Sequence, residues 1–222
     1  MPDNLKLYEA IVLLALCEEK GTMNGAYVEY APAAALAAEL LMLGRIKVDD
    51  GNKEKVTLVN DSRTGDSLLD EALTKISDTK WQYQLEDLKH KVAQALAADG
   101  IVASEKEKVL WLFERRVYPE VNPEPEEQLR QEMRNVVLSD ENDIEPRIAI
   151  TIALANSASL LPQVFSKQEL KDRKHRIKQI ENGELVSKAA KEAIQAIEAA
   201  VMIAAIMPAI TAATVTSSPS SC

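Results

Sequence analysis

The sequence predicts a mainly α protein, namely a single globular helical domain with two short β-hairpins in winged-helix-like helix-hairpin units. Three observations support this fold class. Apolar residues recur at helical spacing along most of the chain, and a helix-ending glycine twice precedes a short extended segment. With 222 residues of which 46% are hydrophobic, the chain is long enough to bury one sizeable core. We expect the domain to span residues 1–215 and residues 216–222 to form a disordered, serine-rich tail.

The central stretch is residues 33–48. Its first half is rich in alanine and leucine and is hydrophobic on nearly every face, which predicts a helix enclosed by other helices. Gly44 provides the left-handed residue that commonly ends a helix. Residues 45–48 and 55–59 alternate between polar and apolar side chains on either side of a turn cluster at 49–52. This pattern predicts the first hairpin.

Two further helices surround this stretch in the sequence. Residues 7–17 form a nearly continuous apolar run, which predicts a mostly buried first helix. The apolar residues that follow Thr64 predict a second helix, capped by Asp66 or Ser67. Together with the central stretch, these patterns predict a core that includes Leu14, Leu40, Leu69, Leu88 and Ile152.

A second helix-hairpin unit is predicted further along the chain. Apolar residues from Trp81 to Leu96 recur at three- and four-residue steps and indicate an amphipathic helix that stops at Gly100. Short extended segments then flank a polar tip at residues 104–108, which predicts the second hairpin, with its second strand at residues 109–113. Both units place a helix end, a glycine and a polar tip in the same order. The sequence leaves open whether the two units arose by an internal duplication or not.

The last third of the chain is predicted to be helical after a proline-rich linker at residues 117–126. A Ser-x-x-Glu capping box starting at Ser166 opens a basic helix that ends at Gly183. We expect the alanine-rich residues 199–207 to pack in the core rather than span a bilayer. The helices in this region are predicted at residues 125–138, 148–161, 166–183 and 184–207.

Net charge and cysteine content limit the classes of partner and the cellular compartment that we expect for this protein. The net charge of -9 argues against a nucleic-acid partner, since nucleic-acid binding needs a basic surface. Cys17 and Cys222 are the only cysteines, which indicates no disulfide framework and a reducing compartment. The first residues lack a signal-like hydrophobic region, so we expect a cytoplasmic protein, with peripheral attachment to a membrane left open.

The sequence offers no catalytic constellation. His90 and His175 both lie among lysines and belong to no recognised motif, and the sequence contains no nucleophile elbow, phosphate-binding loop or zinc-ligand spacing. The acidic turn at residues 49–52 lacks the ligand spacing of a calcium loop. We therefore expect a protein that is not an enzyme and that carries no metal and no cofactor.

Residues 64–73, Thr-Gly-Asp-Ser-Leu-Leu-Asp-Glu-Ala-Leu, resemble the TGD-x-LLDEAL segment of the GPP34 (Golgi phosphoprotein 3) family. Supporting segments occur in family order at residues 7–16, 39–40, 44–45, 83–85, 104–106, 112–113, 153–155 and 157–159. The resemblance implies a mostly helical single domain. In eukaryotic members it also implies a peripheral membrane protein, a trafficking adaptor that binds phosphatidylinositol 4-phosphate and retains glycosyltransferases in the Golgi.

The resemblance further implies a headgroup pocket that the family builds from one tryptophan and three arginines. Carried over by position, the tryptophan falls near Asn24 and the arginines fall at Ala33, Glu86 and Lys89, so Lys89 alone keeps a positive charge. A 4-phosphate carries nearly two negative charges and needs several converging donors. We therefore expect a degenerate pocket in a divergent member of the family, with a prokaryotic origin left open.

The strongest basic run of this acidic chain comprises Lys171, Arg173, Lys174, Arg176 and Lys178. These residues predict contacts with an anionic membrane surface, where each positive charge contributes about 1 kcal/mol. The alternative is a solvated helix face whose charges pair with acidic neighbours.

Two function classes follow from these observations. The first is a peripheral, lipid-binding adaptor of the GPP34 type, whose partner is an anionic membrane surface or a phosphoinositide headgroup. The second is a soluble winged-helix-like module for protein interaction, or less favourably for nucleic acid, without lipid binding. The identity of a client protein and the oligomeric state are not predicted by any motif.

Overall fold

A computed structural model of the protein describes residues 5–17, 20–23, 28, 30–48, 56–75, 87–109 and 113–186. The helices are α1 (Leu7–Ala15), α2 (Ala31–Met42), α3 (Ser67–Lys75), α4 (Leu88–Ala98), α5 (Glu124–Leu138), α6 (Pro146–Ser157), α7 (Lys167–Asp172) and α8 (Lys174–Glu181), with a short 3-10 helix at Leu161–Gln163. The strands β1 (Ile46–Val48) and β2 (Val56–Leu58) pair antiparallel, as do β3 (Glu105–Val109) and β4 (Phe113–Val117). The predicted mainly α fold with two short hairpins is confirmed.

Helices α1 and α2 form the centre of the core. Every residue of α1 is buried, and α2 is buried from its first residue to Leu40, in agreement with the predicted enclosed helix. Helix α2 packs against α1, α3, α4 and α6, and its alanines leave room for these neighbours to approach closely. The residues predicted to lie in the core are all buried, namely Leu14, Leu40, Leu69, Leu88 and Ile152.

A partly buried ion pair between Arg147 and Glu39 helps to join α1, α2 and α6. Arg147 of α6 donates from both terminal nitrogens to the carboxylate of Glu39 in α2, at 2.8 and 3.0 Å. The same carboxylate accepts the backbone N–H of Leu7, the first residue of α1, at 2.9 Å. Because a buried carboxylate must keep its partners, this cluster ties the starts of α1 and α6 to α2.

The two helix-hairpin units share the same hydrogen bonds. Helices α2 and α4 both end in a left-handed glycine, Gly44 (φ 63°) or Gly100 (φ 73°), with the paired backbone bonds of a Schellman motif. After each hairpin the chain returns, and two successive backbone N–H groups donate to the residue that follows the glycine: Val59 and Asn60 to Arg45, and Val121 and Asn122 to Ile101. In each unit the asparagine side chain then accepts the N–H two residues further on. These repeated bonds favour the internal duplication.

The predicted continuous helix from Trp81 to Leu96 is wrong at Asp87. The φ angle of Asp87 is 69°, which lies outside the helical region, and α4 begins at the next residue, Leu88. Residues 81–86 lie outside the described residues.

The second hairpin is confirmed, but its strands lie elsewhere than predicted. The predicted polar tip at residues 104–108 is itself most of strand β3, and Phe113 begins β4 rather than ending a strand. Val102 makes only a single bridge, to Glu120. The polar side chains of β3 are exposed, so this strand lacks the apolar alternation on which the prediction depended.

The sequence predicted one basic helix at residues 166–183, whereas the structure has two helices there, α7 and α8. Arg173, with φ -100° and ψ 10°, separates α7 from α8, while the capping box at Ser166 and the left-handed Gly183 at the far end are confirmed. The predicted helix at residues 184–207 and the predicted tail fall largely outside the described residues, which end at residue 186.

Cys17 is buried just after the end of α1. The expected reducing compartment stays a prediction. Cys222 lies outside the described residues.

Truncation of Leu40 to alanine is expected to lower the free energy of unfolding by about 2–5 kcal/mol, because it empties a fully buried volume beside α1. Denaturant melts give the measurement. Leu43→Ala is the matched control, since Leu43 is 49% exposed and its loss should change stability by less than about 0.5 kcal/mol. Equal losses for the two variants would contradict the central place of α2.

Candidate functional site

Two of the four sequence-predicted pocket positions lie in the described part of the chain, Ala33 and Lys89. Ala33 sits in the first turn of α2, is 7% exposed, and donates its backbone N–H to the carbonyl of Tyr30 at 3.1 Å. It can offer a ligand no charged group. Asn24 and Glu86 lie outside the described residues.

Lys89 lies in the first turn of α4, partly buried. The start of this helix is held by a ring of four side chains that sequence reasoning missed. Arg116 of β4 pairs with the carboxylate of Asp87, and its charge also acts on the phenol of Tyr118. The phenol lies 3.1 Å from His90 Nδ1, and the other nitrogen of His90 lies 3.6 Å from Asp87. The ring therefore fixes the beginning of α4 to the end of the second hairpin.

Hydrogen bonding and burial within this ring shift the pKa values of Arg116 and Tyr118. The hydrogen bond to Asp87 raises the pKa of Arg116, so the guanidinium stays charged. Burial raises the pKa of Tyr118, although Arg116 acts in the opposite direction, so the phenol stays neutral. The neutral phenol and the paired guanidinium position the start of α4 beside the end of the second hairpin.

Tyr118 also holds the loop that follows α1. Its backbone N–H donates to the carbonyl of Gly21 at 2.7 Å. Gly21 has a φ of 59°, and a Cβ atom there would lie 2.2 Å from the backbone nitrogen of Pro119. Only glycine permits this approach. One residue, Tyr118, thus ties down both the loop that leads to Asn24 and the helix that carries Lys89.

The basic run on α7 and α8 divides into inward and outward residues. Arg176 is buried and donates to the backbone carbonyls of Val136 and Glu141 at 2.8 and 2.7 Å, and burial lowers its pKa. Arg173 donates to the carbonyl of Leu138 and pairs with Asp140 at 2.8 Å. These arginines satisfy the C-terminal carbonyls of α5 and the loop that follows it, which have no partner within the helix. Arg173 and Arg176 are therefore engaged by partners within the protein, and the predicted membrane contact of this run stays a prediction that concerns its lysines.

The lysines of the same run are placed differently. Lys171, Lys174 and Lys178 are exposed, as is Lys167 at the start of α7, which the sequence pattern did not single out. His175 is exposed beside them. The sequence alone could not separate the two groups, because arginines and lysines alternate along the run without a regular period.

The sequence matches a protein-family model over most of its length. The family model described as Golgi phosphoprotein 3 (GPP34) matches residues 7–197. The chain belongs to the GPP34 family. It is also 26% identical to vacuolar protein sorting-associated protein 74 of Eremothecium gossypii, in an alignment that covers 76% of this chain and 64% of that protein. The chain thus spans less than two thirds of the length of this relative.

The GPP34 segment at residues 64–73 has a structural role here. Asp66 accepts the backbone N–H groups of Leu68 and Leu69, both at 2.9 Å, and so caps α3 as predicted. It also accepts the hydroxyl of Tyr8 at 2.7 Å and pairs with Lys6 at 3.0 Å. Burial raises the pKa of Asp66, but these hydrogen bonds outweigh burial and the net pKa is lowered. The motif joins the start of α3 to the start of α1.

Among the residues that the structure describes, none of the helices combines the length and hydrophobicity needed to cross a bilayer. In the same part of this GPP34 chain, no group of three or more histidine, cysteine or acidic side chains is placed to hold a metal ion.

Replacing Arg176 by glutamine is expected to lower the free energy of unfolding by about 1–3 kcal/mol, because carbonyl groups at the end of α5 lose their donor. Lys174→Gln, two residues away and exposed, should change it by less than about 0.5 kcal/mol. Chemical denaturation of both variants gives the measurement, and equal effects would contradict the inward role of Arg176.

The pair that joins α7 to α5 predicts a pH dependence. Hydrogen bonds from Arg134 and Ser166 lower the pKa of Glu169 to about 2, from an ordinary value of 4.5. The native state therefore favours the charged form, and this contribution is full above about pH 4.5 and disappears as the pH falls to about 2. Glu169→Gln should be less stable than wild type at pH 7, with a difference that shrinks over this interval. Denaturant melts of the wild type and the variant across pH give the measurement, and a difference that stays constant from pH 7 to pH 2 would contradict this assignment.

Proposed function

We propose that this protein is a peripheral membrane protein of the GPP34 type, a non-enzymatic trafficking adaptor whose family headgroup pocket no longer selects phosphatidylinositol 4-phosphate. By this proposal it resides in the cytoplasm and attaches to Golgi-type membranes. The observation that carries the proposal is the family match over residues 7–197, combined with Lys89 as the one cation at the four family pocket positions.

Charge counting supports the loss of selectivity. The family pocket brings three arginines to one headgroup, and bidentate arginine contacts are what recognise a phosphate with high specificity. Here Ala33 contributes a buried methyl group, and Glu86 would repel a phosphate. A single lysine is a point charge, which attracts any anionic headgroup about equally.

Binding to the membrane would then depend on total charge rather than headgroup identity. Such binding weakens with salt, because the Debye length is about 10 Å at 0.1 M and shortens as the salt concentration rises.

Liposome co-sedimentation tests this function. Wild-type protein should bind vesicles containing phosphatidylinositol 4-phosphate and vesicles with an equal charge of phosphatidylserine to a similar extent, and should bind neutral vesicles weakly. Lys89→Ala should reduce the binding to both anionic vesicles by the same modest factor, about fivefold or less.

Two outcomes would contradict the proposal. A wild-type preference for the phosphoinositide that Lys89→Ala abolishes would mean that the pocket is intact. Absence of binding to every vesicle would favour the soluble interaction module instead, and a DNA mobility shift in parallel would distinguish its nucleic-acid form.

A further inference from the structure

Helices α7 and α8 present four lysines to solvent, Lys167, Lys171, Lys174 and Lys178. Two of them lie one turn apart on α7 and two lie one turn apart on α8, at the i, i+4 spacing that places side chains on one face. We call these residues the lysine row. It is carried by a chain whose net charge is -9, so it opposes the sign of the protein as a whole.

The lysine row is not neutralised by its surroundings. In this region, Glu169 pairs with Arg134 and Asp140 pairs with Arg173. None of the four lysines takes part in an ion pair within the described residues. Residues 166–183 contain six lysines and arginines against three acidic residues, Glu169, Asp172 and Glu181, so this segment keeps a positive charge and its four lysines face solvent.

The helices beneath the lysine row are firmly held. Arg134 of α5 contacts both carboxylate oxygens of Glu169 at 2.6 and 3.3 Å, while Ile177 and Ile180 bury the opposite face of α8 against the core. A surface fixed in this way needs little further ordering when it binds, which lowers the entropic cost of association.

The chemistry of the lysine row fits a lipid surface better than a nucleic acid. Nucleic-acid recognition relies on arginine forks and on aromatic stacking, but both arginines of this run point inward, and no tryptophan, tyrosine or phenylalanine lies between residues 166 and 183. Lysines on long flexible stems act as point charges, which suits a surface of mixed anionic headgroups. The negative remainder of the protein would be repelled, so this face would turn towards the bilayer.

We propose that the lysine row is the surface through which this protein contacts an anionic lipid bilayer, a partner assignment that rests on the proposed function. It takes phosphatidylserine-like and phosphoinositide headgroups alike, because it reads charge and not headgroup shape. It is separate from the family pocket positions on α2 and α4.

The test replaces all four lysines of the row by glutamine in the full chain. The matched control replaces four other exposed lysines, Lys20, Lys47, Lys106 and Lys108, which changes the net charge by the same amount. Binding to phosphatidylserine vesicles at 0.1 M salt is measured by co-sedimentation for wild type and both variants. Thermal melts check folding, and because all eight residues are exposed, both variants should melt near wild type.

The row variant is expected to lose about fivefold in affinity per lysine, and about a hundredfold or more in total, whereas the control variant should lose less than about tenfold. Equal losses in both variants would overturn the proposal in favour of diffuse charge. An unaffected row variant, with wild type still bound, would overturn the row but leave the proposed function standing. A wild type that binds no anionic vesicle would overturn both.

Discussion

The carboxylate of Glu39 is the point on which the arrangement of the core depends. It lies on the central helix α2, where it accepts hydrogen bonds from both terminal nitrogens of the Arg147 guanidinium and from the first backbone N–H of α1. A charge in this position is tolerated only while all of these donors are present, so the register of α1 and α6 against α2 is narrowly defined. Apolar packing alone would leave more freedom, because the alanine-rich surface of α2 has few side chains large enough to interlock with its neighbours.

A second set of polar contacts extends this arrangement to the surface. Tyr118 bonds to Gly21 through its backbone and to His90 through its hydroxyl, while Arg116 closes the ring to Asp87. Tyr118 thus joins the loop after α1, at Gly21, to the helix α4, which carries Lys89. These contacts use backbone groups and the phenol of Tyr118.

The basic run illustrates how one stretch of sequence serves two purposes. Its arginines point inward and complete the end of α5, where a planar guanidinium can reach several carbonyl groups at once. Its lysines point outward. The division follows the chemistry of the two side chains, and it leaves the lysines of the run exposed in a protein whose net charge is -9.

The sequence by itself determined the fold class, the buried residues of the central helices and the glycine-ended helices, and it limited the cap of α3 to Asp66 or Ser67, because periodicity, propensity and capping act over a few neighbouring residues. The segment at residues 64–73 likewise indicated the family, since a motif of consecutive residues is legible in the chain itself. Only the tertiary structure decided the interruption at Asp87, the strands of the second hairpin, and the inward turn of Arg173 and Arg176. Each of these depends on partners distant in sequence: Asp87 is held by Arg116, the exposed hairpin has no apolar alternation to read, and Arg176 bonds to carbonyls some forty residues away. Local sequence patterns contain no information about contacts of that separation. The inward contacts of Arg173 and Arg176, which distinguish them from the exposed lysines, are therefore visible only in the tertiary structure.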